Sequence, residues 1–138
     1  MDLKTQLRNN EKRAVFALVA TIDTDIIDSE TNVGYILDMP KGATISRVFA
    51  IVKEAFAAGS TADIGGTDGT TITPWFDDLD LATVGVTEIG ADTTPVIFPG
   101  SSNPVGILGN TEAVSSVQGL LQVVVQFVEA PVTTGNYV

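Results

Sequence analysis

Three carboxylates stand within four residues of this chain. Asp77, Asp78 and Asp80 follow directly on the single tryptophan, Trp75, and on Phe76. Carboxylates packed this densely have two chemical uses. They can supply oxygens to a hard cation such as calcium, which takes several carboxylate and carbonyl ligands. Alternatively, two of them can share the roles needed for hydrolysis of a glycosidic bond. The spacing does not match the calcium loop between two helices, and adjacent acids on a loop say little for a hydrolase. The plainer reading of Asp77, Asp78 and Asp80 is a solvated acidic turn. Trp75, Phe76 and Tyr35 could together form a platform for a sugar ring. Against that stands the usual place of a lone tryptophan in a small β domain, which is the core.

The remaining routes to catalysis close on composition. The chain has no histidine and no cysteine. Triads built on imidazole or thiolate, and zinc sites of the same ligands, are therefore excluded. The glycines between Asp63 and Gly69 are not followed by Lys-Ser/Thr and a helix, so they do not make a phosphate loop. No catalytic, cofactor-binding or metal-binding residue is assigned, and the expected class is a protein that is not an enzyme and carries no cofactor.

Charge narrows the partners. The net charge is -10, and all seven basic residues lie in the first 53: Lys4, Arg8, Lys12, Arg13, Lys41, Arg47 and Lys53. From Glu54 onward every charged side chain is acidic. Nucleic acid and anionic membranes need a cationic footprint, so neither is expected as a partner. No apolar run is long enough to cross a bilayer, and the polar N-terminus lacks the apolar core of a signal peptide. The expected site of synthesis is the cytoplasm.

The elements that must position these residues read as strands. The 138 residues allow one domain with a proper core, and abundant Thr and Val with 13 Gly and 6 Pro favour short strands joined by turns. Residues 1–13 form an arm, and residues 14–138 one sandwich domain. Residues 14–22 are almost continuously apolar, which fits a strand buried on both faces or covered by a partner. Residues 23–32 make a polar, acidic loop. Residues 35–37 are a short strand before the turn at Pro40 and Gly42. Residues 45–56 could be helix or strand; β-branched residues and flanking turns favour strand, with Val48, Ala50 and Val52 on one face. Further strands are expected over 61–64, from Thr70, over 85–89 and over 95–98, with a tight turn at Asp68-Gly69. The clearest strand is 119–129. Leu121, Val123, Val125 and Phe127 point one way; Gln122, Val124, Gln126 and Val128 point the other. It is expected near the centre of a sheet, and its outer valines beside two glutamines suggest an interface with another copy. The sum is an all-β chain, a sandwich or jelly roll with an extended N-terminal arm.

The turn Met39-Pro40-Lys41-Gly42, the strand after it, the later Ile64-Gly65 pair and the closing Val-rich strand give a pattern. It resembles the small β-sandwich structural proteins of tailed bacteriophages. The resemblance covers residues 35–129. It implies a capsid decoration or cement protein on the outer surface of the virion, made in the host cytoplasm. Its partners would be the major capsid protein and further copies of itself, as a dimer or trimer. In that setting the arm and the first strand could cross to a neighbour by strand addition. The alternatives are a head-fibre or tail adaptor component, and a carbohydrate-binding β-sandwich built on Trp75 and the three acids.

Overall fold

Alternation of large apolar and polar residues decides this architecture. In the computed structural model, which describes residues 15–27, 29–89 and 102–129, the strands are β1 (Val15–Ile22), β2 (Gly34–Asp38), β3 (Ala43–Glu54) and β4 (Thr61–Thr67). They continue as β5 (Ile72–Asp80), β6 (Gly85–Ile89), β7 (Pro104–Gly109) and β8 (Leu120–Glu129), with a one-turn helix α1 (Thr111–Val114) before β8. The arm, residues 1–13, and its boundary with the domain lie outside the described residues, as do the strand expected over 95–98 and the tail from 130.

The strands form two antiparallel sheets, β1-β8-β3-β6 and β2-β7-β4-β5. That order, with every connection but β4 to β5 crossing between sheets, is the eight-stranded jelly roll. Strand β8 is central, as its alternation requires. Leu121, Val123, Val125 and Phe127 are buried, and they pair with Ile22, Ala20, Leu18 and Phe16 of β1. On its other side β8 meets Val52, Ala50 and Val48 of β3, which are also buried. These residues face Ile64, Phe76, Leu79, Val105 and Ile107 of the second sheet across one continuous core. β3 is therefore a strand, and its bulge between Val52 and Glu54 ends it near Lys53-Glu54, where polar residues take over.

Several sequence expectations are corrected. Residues 15–22 are not buried on both faces within one chain, which leaves cover by a partner as the other reading of the run. Val15 and Val19 of β1 are 61% and 53% exposed, because β1 is an edge strand whose outer side has no cover among the described residues. Asp77, Asp78 and Asp80 are not in a turn but inside β5, which begins at Ile72 and runs through Pro74 to Asp80. Pro74 is tolerated because β5 is the edge of its sheet. β7, a central strand, carries Pro104 and two glycines and gave no strand signal.

The end of the sandwich holding the β3–β4, β5–β6 and β7–β8 connections is tied by the half-buried Asn110 and the buried Ser60 and Ser116. Asn110 caps α1 by accepting from Ala113 N–H (3.0 Å). It also accepts from Thr61 N–H (3.1 Å) and donates to the Gly59 carbonyl (2.9 Å). Ser116 accepts from Ala57 N–H (2.9 Å) and donates to the Glu112 carbonyl (2.8 Å), with the Ser60 hydroxyl 3.3 Å away. Ser116→Ala is expected to lower stability by about 1 kcal/mol, since it removes two part-buried hydrogen bonds and the partner of the buried Ser60 hydroxyl. A shift of the urea midpoint at constant slope would measure it.

Candidate functional site

The carboxylates that come together are Asp63, Asp77 and Asp78, not Asp77, Asp78 and Asp80. β4 and β5 pair Ala62 with Leu79 and Ile64 with Phe76, so Asp63 on one strand faces both Asp77 and Asp78 on the other. This is a β-bulge, and its extra residue, Asp78, takes the left-handed conformation at φ 55°. The Asp78 N–H donates to the Asp63 carboxylate at 2.9 Å. Oxygens of the three side chains lie within 4.8 Å of one another. Asp80 turns away and accepts from the Ala82 N–H at 2.8 Å.

Mutual repulsion is the electrostatic signature of this cluster. The Asp77 carboxyl is pushed above its ordinary value of 3.8, first by the charge of Asp63, then by that of Asp78, and by a hydrogen bond shared with Asp63. Asp68 moves the opposite way, held low by the N–H groups of Thr71 and Thr70, which it accepts at 2.8 and 2.9 Å in the β4–β5 turn. A raised carboxyl binds its proton more tightly in the folded chain, so its ionisation destabilises the fold as pH rises from about 3.8 through the raised value. Asp77→Asn is accordingly expected to raise the melting temperature at neutral pH. The gain should vanish below about pH 3.8, which thermal melts across pH would show.

Chemically the cluster does little. It offers three side-chain carboxylates where calcium takes about six to eight oxygens, and one of them already holds a backbone N–H. Its oxygens are too close, and its place on an open sheet face too exposed, to flank a scissile glycosidic bond. The sugar platform is not assembled either. Phe76 is buried, and Trp75 packs against the core. Tyr35 lies on β2, at the opposite edge of the sheet from β5, and its hydroxyl reaches across to the β4–β5 turn, where a Cβ on Gly69 would stand 2.8 Å from it.

The two sheets differ electrically, and that is the main surface feature. The strands of the β2-β7-β4-β5 sheet contain Asp38, Asp63, Asp77, Asp78 and Asp80 and no Lys or Arg. The outer face of the β1-β8-β3-β6 sheet is aliphatic and amide. One row across it is Val19, Val124, Phe49 and Glu88; the next is Thr21, Gln122, Ile51 and Val86. A third row, Ala17, Gln126 and Arg47, follows. The charges within these rows are Arg47 and Glu88, and they pair at 3.2 Å. Val86, like Val19, is more than half exposed, at 64%. The outward valines of β8 were legible in the sequence; their company was not, because it comes from the register with β1, β3 and β6.

The fold has solved counterparts. A chain of the cyanophage Pam1 capsid asymmetric unit matches with a TM-score of 0.67 at 13% identity, over 86% of this chain and 86% of that one. A chain of the acid-stable capsid of Helicobacter pylori bacteriophage KHP30 matches with a TM-score of 0.53 at 20% identity, over 86% of this chain and 94% of that one. Both likenesses are of fold. No family model and no curated protein matches the chain.

Proposed function

We propose that this chain is a non-enzymatic structural protein of a bacteriophage virion. In this reading it docks on the outer surface of the assembled capsid and bridges neighbouring coat subunits as a decoration or cement protein. The observation that carries the reading is the fold likeness, over most of the chain, to chains in two phage capsid structures. A shared fold alone does not assign function. Here it agrees with a surface that, among the described residues, offers contact area and one open cluster of carboxylates.

The major capsid protein is the partner this reading names. Val15 and Glu129 end their strands side by side, at the end of the sandwich that also holds Ile89 and Pro104. Residues 1–13, with Lys4, Arg8, Lys12 and Arg13, precede β1 in the sequence, and in this reading they act as an arm. It carries four of the seven basic residues, and many copies on one shell multiply a weak contact by avidity.

Co-sedimentation with assembled, decoration-free phage heads tests the proposal. Saturable binding at symmetry-related positions, with heads made more resistant to heat, is the expected result. A folded protein that ignores heads would shift the reading to a head-fibre or tail adaptor component. Deleting Met1–Arg13 should weaken head binding at least tenfold while the far-ultraviolet spectrum stays that of a β protein. Unchanged binding would remove the arm as an anchor.

A further inference from the structure

We infer that the outer face of the β1-β8-β3-β6 sheet is a self-association surface, packed in solution against the same face of a second copy of this chain. Charge, shape and area point to this surface independently of the capsid reading.

Charge selects the occupant. Each copy carries a net -10. Two copies meeting through the β2-β7-β4-β5 sheet would stack Asp63, Asp77 and Asp78 of one against those of the other. Like charges brought together at an interface cost several kcal/mol and suppress that pairing. The opposite sheet presents the offset pair Arg47–Glu88 and, at the end of β3, the exposed Lys53, but no cluster of carboxylates, so it is where two such copies can approach without bringing like charges together. The pair Arg47–Glu88 is exposed on both sides, 54% and 40%. Its two charges offset each other within one chain, so the pair does not set two copies apart. A partner chosen by charge attraction would meet the acidic sheet instead.

Shape and area agree. A face of four strands spaced about 4.8 Å apart, with about seven residues at 3.3 Å each, measures about 19 by 23 Å. Two such faces bury on the order of 1,000 Å² once side-chain relief is counted, the lower bound for a specific interface. Aliphatic side chains with glutamines between them make a surface that is apolar at its centre and self-complementary in hydrogen bonding, since each amide both donates and accepts. Val124 and Phe49, neighbours across β8 and β3, lie at the middle of it.

Sedimentation equilibrium of the full chain tests this, together with single cysteines in a chain that has none. Wild-type mass should rise with concentration toward twice 14.4 kDa. Val19→Lys and Val86→Lys, on the two edge strands where the side chains are already exposed, should each raise the dissociation constant at least tenfold without lowering the melting temperature of the monomer. Val124→Cys should form a disulfide-linked dimer under mild oxidation, and Thr73→Cys on the acidic sheet should not. A monomer at every concentration overturns the inference, whatever else covers the face. So does an oligomer indifferent to both lysines, or one in which Val124→Cys links no better than Thr73→Cys.

Discussion

Ile64→Ala is expected to cost about 3–4 kcal/mol, a large share of the roughly 5–15 kcal/mol that a domain of this kind has in total. Ile64 is fully buried on β4, paired with Ile107 of β7 on one side and Phe76 of β5 on the other. β4 is central in its sheet, and its neighbour Gly65 is closely covered, since a Cβ there would stand 2.9 Å from the Pro74 Cα. The backbone cannot slide in to fill a void left at Ile64. Chemical denaturation should show the midpoint falling by that amount at unchanged slope. A loss below about 1 kcal/mol would mean that the two sheets close over the gap, against the packing argued here.

The second large effect is steric. Gly119 precedes β8 at φ +154°, and a Cβ built on it would stand 2.4 Å from two ring carbons of Phe56 and 2.7 Å from a third. Phe56 is 4% exposed, and its backbone N–H donates to the Leu81 carbonyl at 3.0 Å, so the ring has nowhere to retreat. Gly119→Ala should therefore destabilise by about 2–3 kcal/mol through overpacking. The double variant with Phe56→Leu supplies the check. If the clash is the cause, the second substitution recovers part of the loss, and the cycle shows a favourable coupling of about 1 kcal/mol or more. Strict additivity would point to backbone strain at Gly119 instead.

What could be read from the chain itself follows from how local each signal is. β8 declares itself because Leu121 to Val128 alternate without a break, and nothing beyond that strand is needed to see it. β3 was readable once β-branched residues were weighed against a helical stripe. β7 was not, since Pro104, Gly106 and Gly109 mimic a loop; the glycines are there because Cβ atoms would meet Val33 and Ile27 at 2.3 and 2.4 Å. Those neighbours are distant in sequence and invisible to any window. The acidic cluster failed in the same manner. Asp77 and Asp78 stood out, but their third member, Asp63, comes from another strand and is set by a bulge in the register. Asp80 lay closer along the chain and was the wrong choice. The apolar run at 14–22 suggested burial on both sides because an exposed valine face and a core strand have the same composition.

The opposition of an acidic sheet to one of mixed, nearly balanced charge has a consequence for ionic strength. Packed sheets lie about 10 Å apart, and the screening length of physiological saline is about 8 Å. In saline, mobile ions around the molecule screen the exposed Asp77 and Asp78 and their neighbour Asp63 within about that length, so a partner approaching the valines on the far side feels little of them. At about 0.01 M salt the screening length grows to about 30 Å, and the whole molecule is felt as a single anion from every direction. The two sides of this sandwich are thus electrically independent in a salty medium and one object in a dilute one. Adding salt should strengthen contacts between copies through the aliphatic side while it weakens any contact that depends on the basic residues of the arm.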